Sequence, residues 1–571
     1  MSHQARQIGF EQTTALKNLD EVVREWIVPF LDTWVNSGPQ PRASAEDTKR
    51  VIQFIKTLSA SHRTPEGYAW LPGLLKRLAG GVRFNARNFV NIHPTPLIPA
   101  IVAALVASIQ NPNNIVEDVS KATTELEKES IQWMSKELVG FDPAKSWGNV
   151  VSGGTIANMT ALMVARDYSY RKLSRPRPSD VRTRGLFGLP AGVVLATAGS
   201  HYSIKKAMWF LGMGDENVVR IPVAFDEEVA RNITRDQNFV AGITNRGWKK
   251  LIETSTAADR KRGREELTRF YRGTQEPFSL QPLDSEVFKA LYSCFEYGTP
   301  LIAYVFSLGT TDTGTIEKPN HQAIRRLVKE DIFIHADAAL GGFALNHPRV
   351  HKLVSELEKV HSVTIDGHKL GHLAYPSGAV LFRDIAWRQE IMHEAPYLRD
   401  LAPTLEGSRG GGSSAALWAA IQDLGKKGKY IIWLDRLFAF VDRLKKCIAA
   451  EGSFQVLHKV HLTTLAIAPI LRPGESRSDV NKIVECLHRA IDADASPGAF
   501  LVNIDRGLAG IKVRDSNEFV PFEQAGGRPE EKLVDVYCLR LVAANPAVEP
   551  ADAERLLGYL TGKLAEVRSD N

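Results

Sequence analysis

Apolar residues along this chain follow several rhythms, and each rhythm marks a different kind of element. From Leu19 to Val35 they recur at helical spacing until Asn36-Ser37-Gly38-Pro39 breaks the run, so residues 1–95 read as a helical N-terminal arm. Such an arm has little to bury on its own and is expected to wrap a partner subunit. The apolar window from Leu97 to Ile109 contains Pro99 and falls short of the ~20 residues needed to cross a bilayer, so it is expected as a buried helix. Ser120 to Glu129 opens a patterned helix that runs towards Val139.

From about residue 148 the rhythm changes. Short apolar runs at Val193–Ala198, Val218–Val223, Leu301–Ser307, Ile332–Ala339, Ser362–Ile365 and Gly378–Phe382 alternate with helical segments at Ile156–Arg166, Ser203–Leu211 and His321–Lys329. Val350–Val360 is also patterned like a helix. This alternation predicts an α/β domain over 96–425 with a mostly parallel sheet, in which ligands bind beyond the carboxyl ends of the strands. Residues 225–284 interrupt it with charged sequence and read as a surface insertion. A smaller C-terminal α/β domain over 426–571 follows, with strands at Thr463–Ile470, Phe500–Ile504 and Val536–Val542.

Composition narrows the classes. The chain has 571 residues, 44% of them hydrophobic, enough for more than one core. Its 71 basic and 65 acidic residues are interleaved, so the net charge of +6 makes no case for nucleic acid. Four cysteines without C-x-x-C spacing argue against a zinc site or a disulfide framework and suit a reducing cytoplasm. The polar stretch Met1–Asp20 has no apolar core of the kind a signal peptide needs, and no membrane partner is expected.

Four features at strand ends carry chemistry. Val150 to Asn158 places Gly153-Gly154-Thr155 where a helix begins, a seat for an anion such as phosphate on unpaired N–H groups. Thr197 to Ser203 puts His201 where its imidazole could lie over a flat ring. The apolar run from Ile332 suddenly includes Asp337, a carboxylate that must meet a cation or strong donors, with Ala338 and Ala339 leaving room beside it. Lys369 follows the strand Ser362–Ile365 in the turn Gly367-His368-Lys369, a position suited to a Schiff-base nucleophile. In this order they are the parts needed to hold pyridoxal 5'-phosphate.

With Asn111-Pro112-Asn113-Asn114, Thr123-Thr124-Glu125-Leu126-Glu127, Gly154 to Asn158 and Leu405-Glu406-Gly407-Ser408, the sequence resembles the group II pyridoxal-phosphate-dependent amino-acid decarboxylases of fold type I, nearest their bacterial tyrosine decarboxylase branch. The resemblance implies that Lys369 holds the cofactor carbonyl, Asp337 the pyridinium nitrogen, and Gly153, Gly154, Thr155 and His368 the phosphate. It places His201 and Ala339 on the two ring faces and Thr310 close by. Arg540 and His93 are implied on the substrate side. The Gly407–Gly412 turn, with Ser408, is implied to reach the neighbouring subunit's phosphate in a homodimer.

The chain has Gly367 where the family usually has proline, which is expected to leave the turn intact with more freedom. Met392–Thr404 is shorter than the catalytic loop of many relatives, and the proton donor is a tyrosine, Tyr375, which is preferred, or Tyr397, or else His201 with a water. The activity implied is decarboxylation of an L-amino acid to the amine and CO2. An aromatic substrate such as tyrosine leads, and an acidic one, aspartate or glutamate, follows. A lyase or oxidative deaminase, or an inactive regulatory relative, would use the same residues.

Overall fold

In a computed structural model of the chain, the residues described are 18–36, 45–64, 68–79, 87–221, 300–317, 331–392, 403–508, 512–514 and 533–569, except 116, 119, 174–180, 188, 190, 191, 198, 355, 495, 497, 498 and 546. The expected helix at His321–Lys329, the insertion at 225–284 and Tyr397 lie outside them.

The described residues between 18 and 79 are mostly helical. Leu19–Val22, a π-helical turn Val23–Ile27 and Val28–Asn36 form one continuous α1, followed by α2 (Ala45–Ser61) and α3 (Leu71–Leu78). Val22, Trp26, Phe30, Val51, Ile55, Leu58, Leu71 and Leu75 close a small core among these three helices. The arm therefore buries apolar surface within itself.

Helix α4 (Ile98–Gln110) carries proline in its first turn, and Asn111 caps it in the left-handed conformation at φ +49°, just ahead of Pro112. The expectation of a buried helix is corrected here. One side of α4 packs on a later helix, but Ile98, Ile101, Val102, Leu105, Val106 and Ile109 are exposed. Periodicity marks an apolar surface without saying what covers it. Helix α5 (Lys121–Trp133) continues through a π-helical turn, Met134–Val139, into the sheet.

The large sheet has seven strands in the order β1-β7-β6-β5-β4-β2-β3: β1 Trp147–Val151, β2 Val193–Thr197, β3 Val218–Ile221, β4 Leu301–Ser307, β5 Phe333–Asp337, β6 Ser362–Ile365 and β7 Gly378–Phe382. Only β7 runs against the others, pairing antiparallel with both β1 and β6. Strand β1, absent from the expected set, closes one edge. β4 is apolar over most of its length because both faces are covered. One cover is α6 (Gly154–Leu173), whose buried side meets β4 to β7. The span 350–360 is not one helix. A turn of helix at Pro348–His351 gives way to 3-10 geometry at Leu357–Lys359, with Glu356 at φ +55° breaking the chain direction.

After α7 (Tyr202–Phe210) and α8 (Gly412–Ala420), the C-terminal part forms a second core. A four-stranded antiparallel sheet, β8 (Phe454–Val456), β9 (Thr464–Pro469), β10 (Asn503–Asp505) and β13 (Cys538–Val542), packs with α9 (Lys429–Glu451), α10 (Arg477–Ala493) and α11 (Asp552–Ser569). A separate hairpin pairs β11 (Lys512–Arg514) with β12 (Leu533–Asp535). Among the described residues, no helix is long and apolar enough to cross a membrane.

Burial holds five histidines neutral. It pushes His335, His372, His458 and His461 down to about 4 and His361 to about 3. Unfolded histidines bind protons near pH 6.5, so below that pH the unfolded chain binds more protons than the folded one and stability must fall. The urea midpoint is expected to be flat above pH 7.5 and to drop continuously from pH 6.5 towards 4. A midpoint unchanged between pH 7.5 and 5 would contradict neutral burial of these side chains.

Candidate active site

The site is built from the sheet outward. Successive side chains of β5 alternate across the sheet, so Ile334 and Ala336 enter the core on one face while Phe333, His335 and Asp337 face α6. Asn158, one turn into α6, meets them there. Its Nδ2 donates to Asp337 Oδ2 at 2.9 Å and to Ser203 Oγ at 2.9 Å, and its Oδ1 accepts from His335 Nε2 at 2.9 Å. His335 Nδ1 in turn lies 2.8 Å from Ser362 Oγ on β6. Asp337 Oδ1 accepts the Ala339 N–H at 3.1 Å. The carboxylate thus has two neutral donors and, among the described residues, no ion-pair partner.

His201 caps α7, its Nδ1 accepting the Ser203 N–H at 3.3 Å and lying 2.9 Å from Ser203 Oγ. Because Ser203 Oγ already accepts from Asn158, its own hydrogen is free to point at His201, which leaves the ring proton on Nε2. Burial lowers the His201 imidazole below its ordinary value, with Asp337 opposing and Lys369 adding to the shift.

Strand β6 ends at Ile365, and the turn after it carries Asp366, His368 and Lys369. Lys369 Nζ is 3.1 Å from Asp366 Oδ2, and His368 Nε2 is 3.4 Å from the same oxygen. The expectation that Gly367 gives the turn more freedom is corrected: a Cβ there would collide with Ser377 Oγ and meet Leu373 Cδ1 at 2.6 Å, so close packing fills the space. The His368 ring stacks on Tyr375 at 3.9 Å, and Tyr375 meets the edge of His93 at 5.3 Å. Burial, and after it the Asp366 charge, raises the Tyr375 phenol above its ordinary value.

These groups surround one cavity of about 360 Å³, lined by Gly153, Gly154, Thr155, His201, Thr310, Asp337, Ala339, His368, Lys369 and Tyr375 among others. Thr310 Oγ1 accepts the Thr315 N–H at 3.0 Å and is 2.7 Å from Thr313 Oγ1. Three residues singled out from the sequence are not among the lining. His93 stands behind Tyr375. Arg540, on β13, donates through Nη1 to the carbonyl of Thr311 at 3.3 Å, and Thr311 does line the cavity. Ser408 takes a hydrogen bond from Asn113 Nδ2 at 3.0 Å at the surface of this chain.

Sequence reasoning passed over Asn158, His335, Ser203 and Asp366 as individual residues. Asn114 and Glu127 lie within the motifs named above, but their partners come from distant segments. Glu127 Oε1 accepts from Val150 N at 2.9 Å and pairs with Arg409 Nη1 at 2.6 Å, and Glu127 Oε2 accepts from Asn114 at 2.9 Å. Arg409 also donates to the carbonyl of Val150 at 2.6 Å, and Glu406 accepts the Ser152 N–H at 3.2 Å. The 405–409 turn therefore clamps the end of β1, from which the Gly153-Gly154 seat hangs.

The residues present fit pyridoxal phosphate. A Cβ on Gly154 would come within 2.8 Å of Asp366, so only glycine leaves this corner open at the head of the 20-residue α6. His368 Nδ1 is buried with no hydrogen-bond partner, a donor suited to a phosphate oxygen. Asp337 offers a buried anion, held only by neutral donors, to a pyridinium N–H. Seat, carboxylate and amine on one cavity at the carboxyl ends of the strands define a pyridoxal-phosphate-binding protein of fold type I.

Comparison with known proteins makes this more specific. Residues 281–468, which include Asp337, His368 and Lys369, match the pyridoxal-dependent decarboxylase conserved domain, and the chain is similar to the amino-acid decarboxylases that carry it. It is similar to the probable L-tyrosine/L-aspartate decarboxylase of Methanothermobacter thermautotrophicus, 25% identical over 410 residues that cover 69% of this chain and 89% of that one. The L-tyrosine decarboxylase of Levilactobacillus brevis is 24% identical over 454 residues, covering 64% of each. Among solved structures, Oryza sativa TDC with PLP and tryptamine shares the fold with a TM-score of 0.68 at 15% identity, over 96% of this chain and 98% of that one.

Proposed function

We propose that the chain converts an aromatic L-amino acid such as tyrosine to its amine and CO2. The observation that carries this reading is the makeup of the cavity wall. Beyond the groups assigned to the cofactor it presents Ile92, Tyr202, Leu340 and Tyr375, and among its described lining residues Lys369 is the only lysine and no arginine occurs. An acidic side chain buried there would need a cation to offset its desolvation, whereas an aromatic ring gains by leaving water. Relatives named L-tyrosine decarboxylase support the same choice. A second reading, an acidic substrate, is favoured by the aspartate in the names of other relatives and by the Arg540 guanidinium close to Thr311.

When bound, pyridoxal phosphate supplies a carbonyl for the substrate amine and a protonated ring that accepts the electron pair CO2 leaves behind. The chain's own residues do the rest. Lys369 would hold the carbonyl carbon until the substrate displaces it. Gly153, Gly154, Thr155 and His368 would hold the phosphate, and Asp337, oriented by Asn158 and Ala339, would keep the ring nitrogen protonated where negative charge develops. His201 and Ala339 would confine the ring, and Arg540 would bind the substrate carboxylate. The Tyr375 phenol, kept protonated at neutral pH, would give its proton to the α-carbon. Incubating the loaded enzyme with each of the twenty amino acids and following CO2 and amine by mass spectrometry is expected to give tyramine fastest. Preferential turnover of aspartate or glutamate would overturn the aromatic assignment.

The exposed row on α4 belongs to the same reading. Six large apolar side chains on one helix face are costly in water, and a second copy of the chain is their proposed cover, with the Ser408 turn reaching the partner's site. Sedimentation is expected to give a dimer that Leu105→Asp converts to a less active monomer. An unaltered dimer would exclude this face.

A further inference from the structure

The proposed function leaves Asp366 without a task, although its carboxylate is the anion in ion-pair contact with Lys369. The side chain is buried, 4% exposed, and wedged between the Gly154 corner and the amine. Oδ2 lies 3.1 Å from Lys369 Nζ and 3.4 Å from His368 Nε2, and Oδ1 is buried with no hydrogen-bond partner. The other charged or titratable groups facing this corner are His201, His368, Asp337, Tyr375 and His93. Asp337 is already engaged by Asn158 and Ala339, and burial lowers all three histidines, so Asp366 is the counter-ion to the amine.

We propose that Asp366 holds Lys369 as an ammonium group while substrate occupies the carbonyl carbon, and thereby keeps the reaction at decarboxylation by denying the substrate α-hydrogen a base. The inference rests on the reading of Lys369 as the carbonyl-holding lysine. In the exchange, the substrate nitrogen arrives as an ammonium group. Its bond to the carbonyl carbon forms as the bond to Lys369 breaks, and two of its protons pass to Lys369, which leaves with three. An ammonium group has no lone pair and cannot take a proton from carbon. Without the Asp366 charge, the released lysine gives a proton to water more readily. Its lone pair can then remove the α-hydrogen as a proton and return one from solvent.

The test is Asp366→Asn, which keeps the shape and removes the charge, alongside Asp366→Ser, which is expected to behave alike. In D2O the loaded wild-type enzyme should release amine carrying one deuterium, the one added when CO2 leaves. In the variants the dideuterated fraction should rise about tenfold, and unreacted substrate should carry α-deuterium. The second readout needs no turnover. In the full chain stripped of cofactor, dinitrofluorobenzene reacts only with the neutral amine, and labelling of Lys369 at pH 7, mapped by peptide mass, should be about tenfold faster in the variants. An unchanged labelling rate, or an amine that stays monodeuterated, overturns the proposal. Wild-type chain that makes no amine from any amino acid defeats the decarboxylation reading instead, while the labelling comparison still decides whether Asp366 holds the amine.

Discussion

Lys369→Ala is expected to reduce amine production by a factor on the order of 10^4 to 10^6, the scale seen when a covalent nucleophile is removed from an enzyme. The visible absorbance band of the carbonyl–lysine linkage should vanish with it. The fold should survive, because among the described residues the Lys369 side chain contributes one ion pair, to Asp366. That ion pair is buried, so its loss leaves a carboxylate whose remaining ion-pair contact among the described residues is His368 at 3.4 Å, and a modest fall in melting temperature is expected. Absorbance, turnover and thermal melting on one preparation check all three. Amine production within tenfold of wild type would remove Lys369 from the chemistry.

Asp337→Ala should lower kcat by roughly 10^2 to 10^3, the size of effect produced by deleting one preorganised electrostatic group aimed at developing charge. It also strips the acceptor from two buried donors, Asn158 Nδ2 and the Ala339 N–H, each costing about 1 to 3 kcal/mol when left unpaired. Loss of activity and loss of stability should therefore arrive together. Asp337→Asn separates them in part. It can still accept the Ala339 N–H, but it turns an amide towards the Asn158 amide, so activity should fall nearly as far while stability falls less. Steady-state kinetics beside urea unfolding would show this. An Asp337→Asn enzyme with wild-type kcat would mean that the carboxylate holds α6 in place and does nothing for the ring.

The polar residues legible in the sequence share one property: each interrupts or ends an apolar run. Asp337 at the end of β5, His201 after β2 and Lys369 after β6 stand out because a strand buried on both faces cannot carry them without a reason. Asp366 ends a strand in the same way, but an acid in a turn reads as a solvated turn residue until its burial is known. Asn158 is harder still. It sits inside the motif that carries the phosphate seat, yet its partners Ser203, His335 and Asp337 are 45, 177 and 179 positions away. Glu127 and Arg409 are 282 apart, and the motifs around them look unrelated until the fold shows that together they clamp β1.

Taken alone, the order of residues determined the alternation of strands and helices, the strand ends at which chemistry could sit, and which amine, carboxylate, imidazole and glycines are the candidates for the site. Local pattern suffices for these, because periodicity and strand burial act over a few residues. Tertiary structure decided which polar groups complete the site, why Gly367 is packed tightly, and that the apolar face of α4 stands in water on a single chain. Desolvation and hydrogen-bond pairing depend on which distant segments the crossovers bring together, and no window of sequence contains that information.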